Sequence, residues 1–196
     1  MKTKPIPVGA IKIPLRDVEQ PDEFSCGAAS LMSICSYYNV GSDYIEAFKQ
    51  ALRTDPDDGI YYGKIAEYAR KLNLRADIRR KMSVGALKRH LDAGRPVICS
   101  IQAYSDDDPP DYSLDGNGHY VVAIGHDKKR IYFMDPSANY DSTRGNPCYA
   151  YLSVKALKLR WHEDEGVGGD HERIWGLGIV IYPEEASPLL EARKIE

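Results

Sequence analysis

The hydrophobic pattern of this chain changes its period near residue 95. Before that point, apolar residues recur at the three- and four-residue spacing of amphipathic helices. After it, they alternate or run together as they do in strands. Runs of helices followed by runs of strands are typical of α+β proteins. The sequence therefore predicts an α+β fold, with the first helix packed against an antiparallel sheet.

Caps and turn residues bound the predicted elements. Helices are expected over residues 26–38, 42–53, 60–72, 83–93 and 154–161, and strands over residues 74–79, 97–102, 118–124, 131–135 and 174–182. Ser83 and Gly94 are expected to start and end the fourth helix, and Ser42 with Asp43 to cap the second. Residues 166–170 are expected to form a flexible loop.

A chain of 196 residues is long enough for one domain with its own core. We expect a single domain over residues 1–196. An extended N-terminal arm (1–19) leads to a helical half (20–95), a sheet half (96–182) and a polar tail (183–196).

Charge and hydropathy exclude several classes of protein. The net charge of -3 gives no reason to expect nucleic acid or an anionic membrane as a partner. No apolar run approaches the roughly 18 residues of a transmembrane helix, and the N-terminus lacks the apolar core of a secretory signal. The four cysteines include no Cys-x-x-Cys pair, so neither a disulfide scaffold nor a zinc site is expected. We therefore expect a cytoplasmic protein without a transmembrane segment; the pattern carries no prediction of oligomeric state.

Cys26 is the first candidate catalytic residue. It lies at the start of the first predicted helix, where Ser25 or Asp22 is expected to provide the cap. Unpaired backbone N–H groups and the positive end of the helix dipole favour the thiolate there, and the thiolate is the nucleophilic form. Gly27 has no side chain and is expected to leave room for a substrate beside the sulfur.

A nucleophilic thiol needs a base and a residue that orients the base. His119 begins one predicted strand and Asp135 ends the next, with a polar turn between them. In a hairpin centred on Asp127, residues whose numbers add up to 254 lie opposite each other, and His119 and Asp135 meet that condition. With an odd-numbered loop the two side chains share a face. An even-numbered loop would shift the register by one and place them on opposite faces.

Taken in order, these residues resemble the papain-like cysteine peptidases. The matching segments are Gln20, Cys26-Gly27-Ala28-Ala29, Gly94-Arg95-Pro96-Val97-Ile98, Gly118-His119-Tyr120-Val121-Val122 and Asp135-Pro136-Ser137. The chain looks closest to the double-glycine leader (bacteriocin-processing) peptidase family and its stand-alone relatives, over roughly residues 15–182. The resemblance implies a papain-like fold, a peptide or protein substrate, and a role for Gln20. The Gln20 amide and the backbone N–H of Cys26 would form the oxyanion hole.

The leading hypothesis is a cysteine peptidase that hydrolyses a peptide bond, with double-glycine specificity implied by the family. Cys26 would attack the carbonyl, His119 would transfer protons, Asp135 would orient His119, and Gln20 would stabilise the oxyanion. This chemistry needs no metal and no organic cofactor. One alternative is acyl transfer from the same thiol to an amine, as in transglutaminases or relatives of phytochelatin synthase. Another is a non-catalytic peptide-binding module.

The other cysteines have structural interpretations. Cys35 lies nine residues along the helix from Cys26, a rotation of about 900°, so the two side chains point in opposite directions. Cys99 falls in a strand that is expected to be buried, and Cys148 follows a proline in a loop.

Two further groups of residues carry weaker hypotheses. His162 and His171 lie near acidic residues and allow a metal-site interpretation, but their spacing fits no zinc pattern, which favours a solvated loop. The loop over residues 104–117 is rich in aspartate and leads directly to His119. We expect it to border the cleft, where Asp106, Asp107 and Asp108 would select basic substrate residues.

Overall fold

The computed structural model describes residues 5–103, 110–114, 116–137, 149–167 and 170–184, with the side chains of 165–167 and 170–172 outside that description. Its helices are α1 (Cys26–Tyr37), α2 (Ile45–Leu52), α3 (Tyr62–Lys71), α4 (Val84–Asp92) and α5 (Val154–Arg160). Its strands are β1 (Leu74–Arg79), β2 (Val97–Gln102), β3 (Gly118–His126), β4 (Arg130–Met134), β5 (Ala150–Ser153), β6 (His162–Val167), β7 (Asp170–Trp175) and β8 (Gly178–Pro183). The α+β prediction is confirmed.

A six-stranded antiparallel sheet organises the fold. Its strand order is β1-β8-β2-β3-β4-β5, so β8 lies between β1 and β2. The strands β6 and β7 form a separate antiparallel pair. Helix α1 packs against β3, where the Ser30 hydroxyl donates a hydrogen bond of 3.2 Å to the Tyr120 carbonyl. This contact brings the N-terminal half of the chain onto the sheet.

The N-terminal arm pairs with the end of β3. The N–H groups of Lys12 and Ile13 each donate to the Ile124 carbonyl at 3.0 Å, and the His126 N–H donates to the Ala10 carbonyl at 2.8 Å. A Cβ at Gly125 would overlap the Ala10 carbonyl oxygen, so this close approach requires glycine. The extended arm is therefore part of the packed structure.

Helix α4 has the predicted caps. The Ser83 hydroxyl accepts a hydrogen bond from the Ala86 N–H at 3.1 Å, and Gly94 adopts a left-handed φ of 70° after the helix. Helix α2 differs from its prediction. It begins at Ile45 because the Ser42 hydroxyl accepts from the N–H of Tyr44, which makes a local turn and leaves no side-chain cap.

The prediction for the C-terminal third was wrong in three respects. Residues 166, 167 and 170, expected in a loop, belong to β6 and β7, while residues 168 and 169 lie outside the described residues. The strand β5 was not predicted. The single closing strand expected over residues 174–182 is divided between β7 and β8. The division occurs at Gly176, whose φ of 62° and close contact with the Met82 backbone exclude a continuous strand.

Within the part of the chain described, none of the helices is both long and apolar enough to span a bilayer.

Candidate active site

Cys26 is the first residue of α1. The first intrahelical hydrogen bond runs from the Ala29 N–H to the Ser25 carbonyl at 3.0 Å, so the N–H of Cys26 precedes the helical ladder. The predicted side-chain cap is absent: Ser25 occupies the cap position without a capping hydrogen bond, and the Asp22 carboxylate accepts from the Phe24 N–H instead. No side chain therefore caps the N-terminus of α1, where Cys26 lies.

Gly27 serves packing, in contrast to the prediction that it makes room for a substrate. A Cβ at this position would lie 3.1 Å from the side chains of both Ile65 and Tyr120, and 3.3 Å from that of Ile60. The missing side chain allows α1 to approach α3 and β3 closely. The close approach helps to bring Cys26 to the first residues of β3.

His119 lies at the start of β3 and connects Cys26 with Asp135. The imidazole is buried, and its Nε2 lies 2.7 Å from Asp135 Oδ1. It also forms a hydrogen bond with the Cys26 side chain. The structure thus brings together three of the four predicted site residues around one imidazole ring.

The register between β3 and β4 differs from the prediction. Next to the turn, His126 pairs with Ile131, which leaves an even-numbered loop between them. That register alone would place His119 and Asp135 on opposite faces. An irregularity between Ala123 and Gly125 inserts one residue into β3, so that Ala123 pairs with Phe133. The bulge places His119 and Asp135 on the same face of the sheet again. In this register the two residues are diagonal neighbours and not directly opposite each other.

The electrostatics of the pair favour a protonated imidazole. Burial alone would lower the pKa of His119. The hydrogen bonds to Asp135 and Cys26, together with their charges, outweigh burial and raise the pKa to about 9. His119 is therefore largely an imidazolium at neutral pH.

Ser137 supports Asp135 from the segment after β4. Its N–H and its hydroxyl both donate to Asp135 Oδ1 at 3.0 Å, and the hydroxyl lies 3.4 Å from His119 Nε2. Burial would raise the pKa of Asp135, but the contacts with His119 and Ser137 lower it below its ordinary value. The carboxylate is therefore charged when it orients the imidazole. Ser137 lies in one of the segments that resemble papain-like peptidases, but the sequence predicted no contact between Ser137 and Asp135.

Gln20 is tied to the same region by its backbone and its side chain. Its N–H donates to the Pro136 carbonyl at 2.9 Å, next to Asp135. Its side-chain Nε2 donates to the Asp22 carbonyl at 2.7 Å. The Oε1 atom is buried and has no hydrogen-bond partner among the described residues. Gln20 therefore lies on the loop that precedes Cys26 and touches the segment that follows Asp135.

The residues from 12 to 168 match the model of the Peptidase_C39 like family. The chain belongs to this family of cysteine peptidases. The comparison with curated proteins produced no match.

Three solved structures similar to this C39-like peptidase share its fold. One is a double glycine motif protease from an AMS/PCAT transporter in complex with the leader peptide: 16% identity, 90% of this chain and 96% of that chain covered, TM-score 0.58. Another is the peptidase domain of Streptococcus ComA, with 21% identity and a TM-score of 0.59; the match covers 87% of this chain and 99% of that chain. The third is a Bacillus anthracis protein described as a C39-like peptidase, with 18% identity and a TM-score of 0.63; the match covers 91% of this chain and 98% of that chain. At these identities the likeness shows the fold alone, which is the predicted papain-like arrangement.

The other thiols of the peptidase have the structural surroundings expected from the sequence. Cys35 and Cys99 are fully buried among core residues. Burial raises the pKa of Cys35 to about 12 and also raises the pKa of Cys99 well above its ordinary value. Neither thiol is therefore a nucleophile near neutral pH. Cys148 lies outside the described residues.

The weaker sequence hypotheses fall mainly beyond what the structure describes. Asp106, Asp107 and Asp108 lie outside the described residues, as does the side chain of His171. His162 is fully buried, and its Nε2 lies 3.0 Å from the Tyr112 carbonyl. It is therefore a packed residue and not part of a solvated loop. Among the described residues, no group of three or more His, Cys, Asp or Glu side chains is arranged to hold a metal ion.

Proposed function

We propose that this peptidase hydrolyses a peptide bond with Cys26 as nucleophile, His119 as general acid and base, Asp135 as orienting residue and Gln20 as oxyanion donor. The observation that carries the proposal is the shared imidazole. His119 is bonded to Asp135 at 2.7 Å on one side and to the Cys26 thiol on the other. A nucleophile, a base and a group that orients the base are the elements of nucleophilic catalysis.

The reaction proceeds through a thioester. The Cys26 thiolate forms a C–S bond with the substrate carbonyl, and the carbonyl electrons move to its oxygen. The Gln20 amide and the Cys26 N–H stabilise this oxyanion, an effect worth about 10²–10³ in rate per donor. The C–N bond then breaks as His119 protonates the leaving amine. His119 next removes a proton from water as the water oxygen forms a C–O bond with the thioester carbonyl. The C–S bond then breaks, which releases the carboxylic product and restores the Cys26 thiolate beside protonated His119.

The charge state of the imidazole supports this assignment. Protonation of the leaving amine requires an acid, and the raised pKa of His119 keeps the ring protonated at neutral pH. Asp135 remains ionised because His119 and Ser137 lower its pKa. The two groups thus have the protonation states that the first half-reaction needs.

The proposal includes one papain-like domain over residues 1–196, acting in the cytoplasm. A continuous core extends from Ile13 in the arm to Ile181 in β8, which supports one folding unit. Cys26, Cys35 and Cys99 are free thiols, which suits a reducing compartment.

Selective alkylation tests the catalytic thiol. Wild type and His119→Ala are treated with iodoacetamide across a pH series, and the labelling rate of each cysteine is measured by mass spectrometry. We expect Cys26 to react faster than Cys35 and Cys99, which stay protected by burial, and the pH profile of Cys26 labelling to change in the variant. A pH profile of Cys26 labelling that is the same in both proteins would contradict the proposal.

Double-glycine specificity is the finer part of the proposal, and it comes from the family. A matched pair of coumarin-amide peptides tests it, one with Gly-Gly and one with Ala-Ala before the amide. We expect cleavage of the Gly-Gly peptide to be faster by roughly tenfold or more, as is usual when a narrow pocket rejects added methyl groups. Equal kcat/KM values would remove the specificity and leave the peptidase mechanism intact.

A further inference from the structure

An ion pair joins α2 to the loop that carries Gln20. Lys49 Nζ lies 2.7 Å from Asp22 Oδ2, and both side chains are mostly shielded from solvent, at 18% and 22% exposure. Lys49 also lies 5.5 Å from the centre of the Phe24 ring. One lysine on a regular helix therefore contacts two residues of the loop between Gln20 and Cys26.

Asp22 organises this loop through two separate oxygens. Its carboxylate accepts the Phe24 N–H at 3.3 Å, and its backbone carbonyl accepts Gln20 Nε2 at 2.7 Å. Two carbonyl oxygens repel each other, so the Asp22 carbonyl favours the orientation in which the NH₂ end of the Gln20 amide, and not its oxygen, points to Asp22. Nε2 carries two hydrogens, of which one is donated to Asp22. The second is the hydrogen that the proposed function assigns to the oxyanion.

The ion pair is charged under ordinary conditions. Burial would raise the pKa of Asp22, but its hydrogen bonds and the nearby Lys49 charge lower it. The hydrogen bond from Lys49 to Asp22 in turn raises the lysine pKa. A second acceptor, Glu46 Oε1, lies 3.2 Å from Nζ on the same helix. The ammonium group is thus held over the loop by partners on both sides.

We propose that Lys49 is a positioning residue for oxyanion stabilisation: it fixes Asp22, whose carbonyl orients the Gln20 amide. This inference rests on the proposed function. Lys49 itself does not touch the reacting atoms. Its effect therefore appears only in steps that develop charge on a carbonyl oxygen.

Two reagents that attack the same sulfur separate this role from a general structural one. Acylation by p-nitrophenyl acetate forms a tetrahedral oxyanion before the C–O bond breaks and p-nitrophenolate leaves. Alkylation by iodoacetamide forms a C–S bond as iodide leaves, without an oxyanion. The burst of p-nitrophenolate gives the first rate, and mass spectrometry at Cys26 gives the second and confirms the site of the first.

Lys49→Met should slow acylation about tenfold, a part of the loss expected when an oxyanion donor is removed. Its iodoacetamide rate at Cys26 should stay within about twofold of wild type. Lys49→Arg, which keeps the charge, should recover most of the acylation rate. Lys71→Met is the matched control because Lys71 pairs with Glu67 on the exposed face of α3; both of its rates should equal those of wild type.

A double variant tests whether Lys49 acts through Gln20. In a Gln20→Ala background, Lys49→Met should cause no further loss of acylation rate. Asp22→Asn provides a second way to weaken the ion pair, and it should reproduce the selective loss if Lys49→Met folds poorly.

Three outcomes would overturn the inference: equal losses in both reactions, no loss in either, or additive losses in the double variant. Each differs from failure of the proposed function. That failure would appear as a Cys26 alkylation profile that His119→Ala does not change.

Discussion

Asp135 lies one residue beyond β4 and, in the register of the β3–β4 ladder, diagonal to His119. The two side chains share a face because β3 carries one extra residue. The register passes from His126 opposite Ile131 to Ala123 opposite Phe133. Without that step, His119 would face the other side of the sheet from Asp135. The contact of 2.7 Å therefore depends on a backbone irregularity several residues from the imidazole.

Gly125→Ala should destabilise this irregularity. The new Cβ would overlap the Ala10 carbonyl oxygen and approach the Ile11 Cα to 2.8 Å, so the arm has to move. We expect the free energy of unfolding to fall by about 1–3 kcal/mol, as in other overpacked sites, and peptidase activity to fall with it. Guanidinium denaturation and kcat/KM measure the two effects.

Gly85→Ala is the control for that substitution. Gly85 lies in α4, and a Cβ there would meet nothing closer than 3.8 Å. We expect this variant to be as stable as wild type or more stable by about 0.5–1 kcal/mol, because alanine favours helix. If both variants behaved alike, the arm contact at Gly125 would have no special importance.

Peptidase activity should decline on the alkaline side as His119 loses its proton. The ring must protonate the leaving amine, and its pKa is raised to about 9, so kcat/KM should fall as pH rises through that value. Asp135→Asn removes the carboxylate charge, which should lower the pKa of His119 and move the decline to lower pH. Rate profiles and imidazole NMR titration should agree, and an unmoved profile in Asp135→Asn would count against the assignment.

The same pKa makes folding stability depend on pH. The folded state holds the His119 proton more tightly than the unfolded state, whose pKa is near 6.5. The stabilisation is therefore fully present below about pH 6.5 and is lost as pH rises to about 9. The free energies of unfolding of wild type and His119→Ala should be measured across this pH range. We expect the difference between them to become smaller at the alkaline end.

Ser137→Ala should weaken the support of Asp135 without removing it. The hydroxyl donor is lost, while the Ser137 N–H still donates to Oδ1 at 3.0 Å. We expect a stability loss of about 1 kcal/mol, a higher pKa for Asp135 because one donor to its carboxylate is lost, and an activity loss no greater than about tenfold. Ser113→Ala is a matched control, because Ser113 makes the same pair of contacts with the exposed Asp111. A fall in activity in both variants would show that the effect is not local to Asp135.

Cys35→Ser and Cys26→Ser should separate structure from chemistry. Cys35 is fully buried in the core, so a hydroxyl there costs about 1–3 kcal/mol of stability, while activity per folded molecule stays unchanged. Cys26→Ser should retain the fold and lose nearly all peptidase activity, because the serine hydroxyl is not ionised by His119. Thermal melts and active-site titration distinguish the two results.

The elements that could be predicted from sequence are those whose own residues determine them. Helix α4 carries its cap at Ser83 and its terminating Gly94, and both act locally. The β3–β4 register could not be predicted in the same way. Its bulge lies where the arm from residues 10–13 contacts β3, a partner more than 100 positions away in sequence. The shared face of His119 and Asp135 was expected, but for a register that the chain does not adopt.

Strands β6 and β7 were missed for a different reason. Residues 162–166 are largely charged or polar and lack the alternation that marks a half-buried strand. Gly168 and Gly169, the dipeptide between the two strands, were a usable signal for a hairpin. The ion pair between Lys49 and Asp22 left no comparable signal, because the two residues come together only when α2 packs beside α1.

The place of β8 between β1 and β2 has a consequence for synthesis on the ribosome. Residues 20–26 and both members of the His119–Asp135 pair emerge well before Gly178. Until β8 is made, however, β1 has no neighbouring strand among those described, and β2 lacks one of its two partners. A nascent chain therefore carries its thiol beside an incomplete sheet until β8 has been translated. We expect the sheet that supports Cys26 and His119 to be complete only after residues 178–183 have left the ribosome.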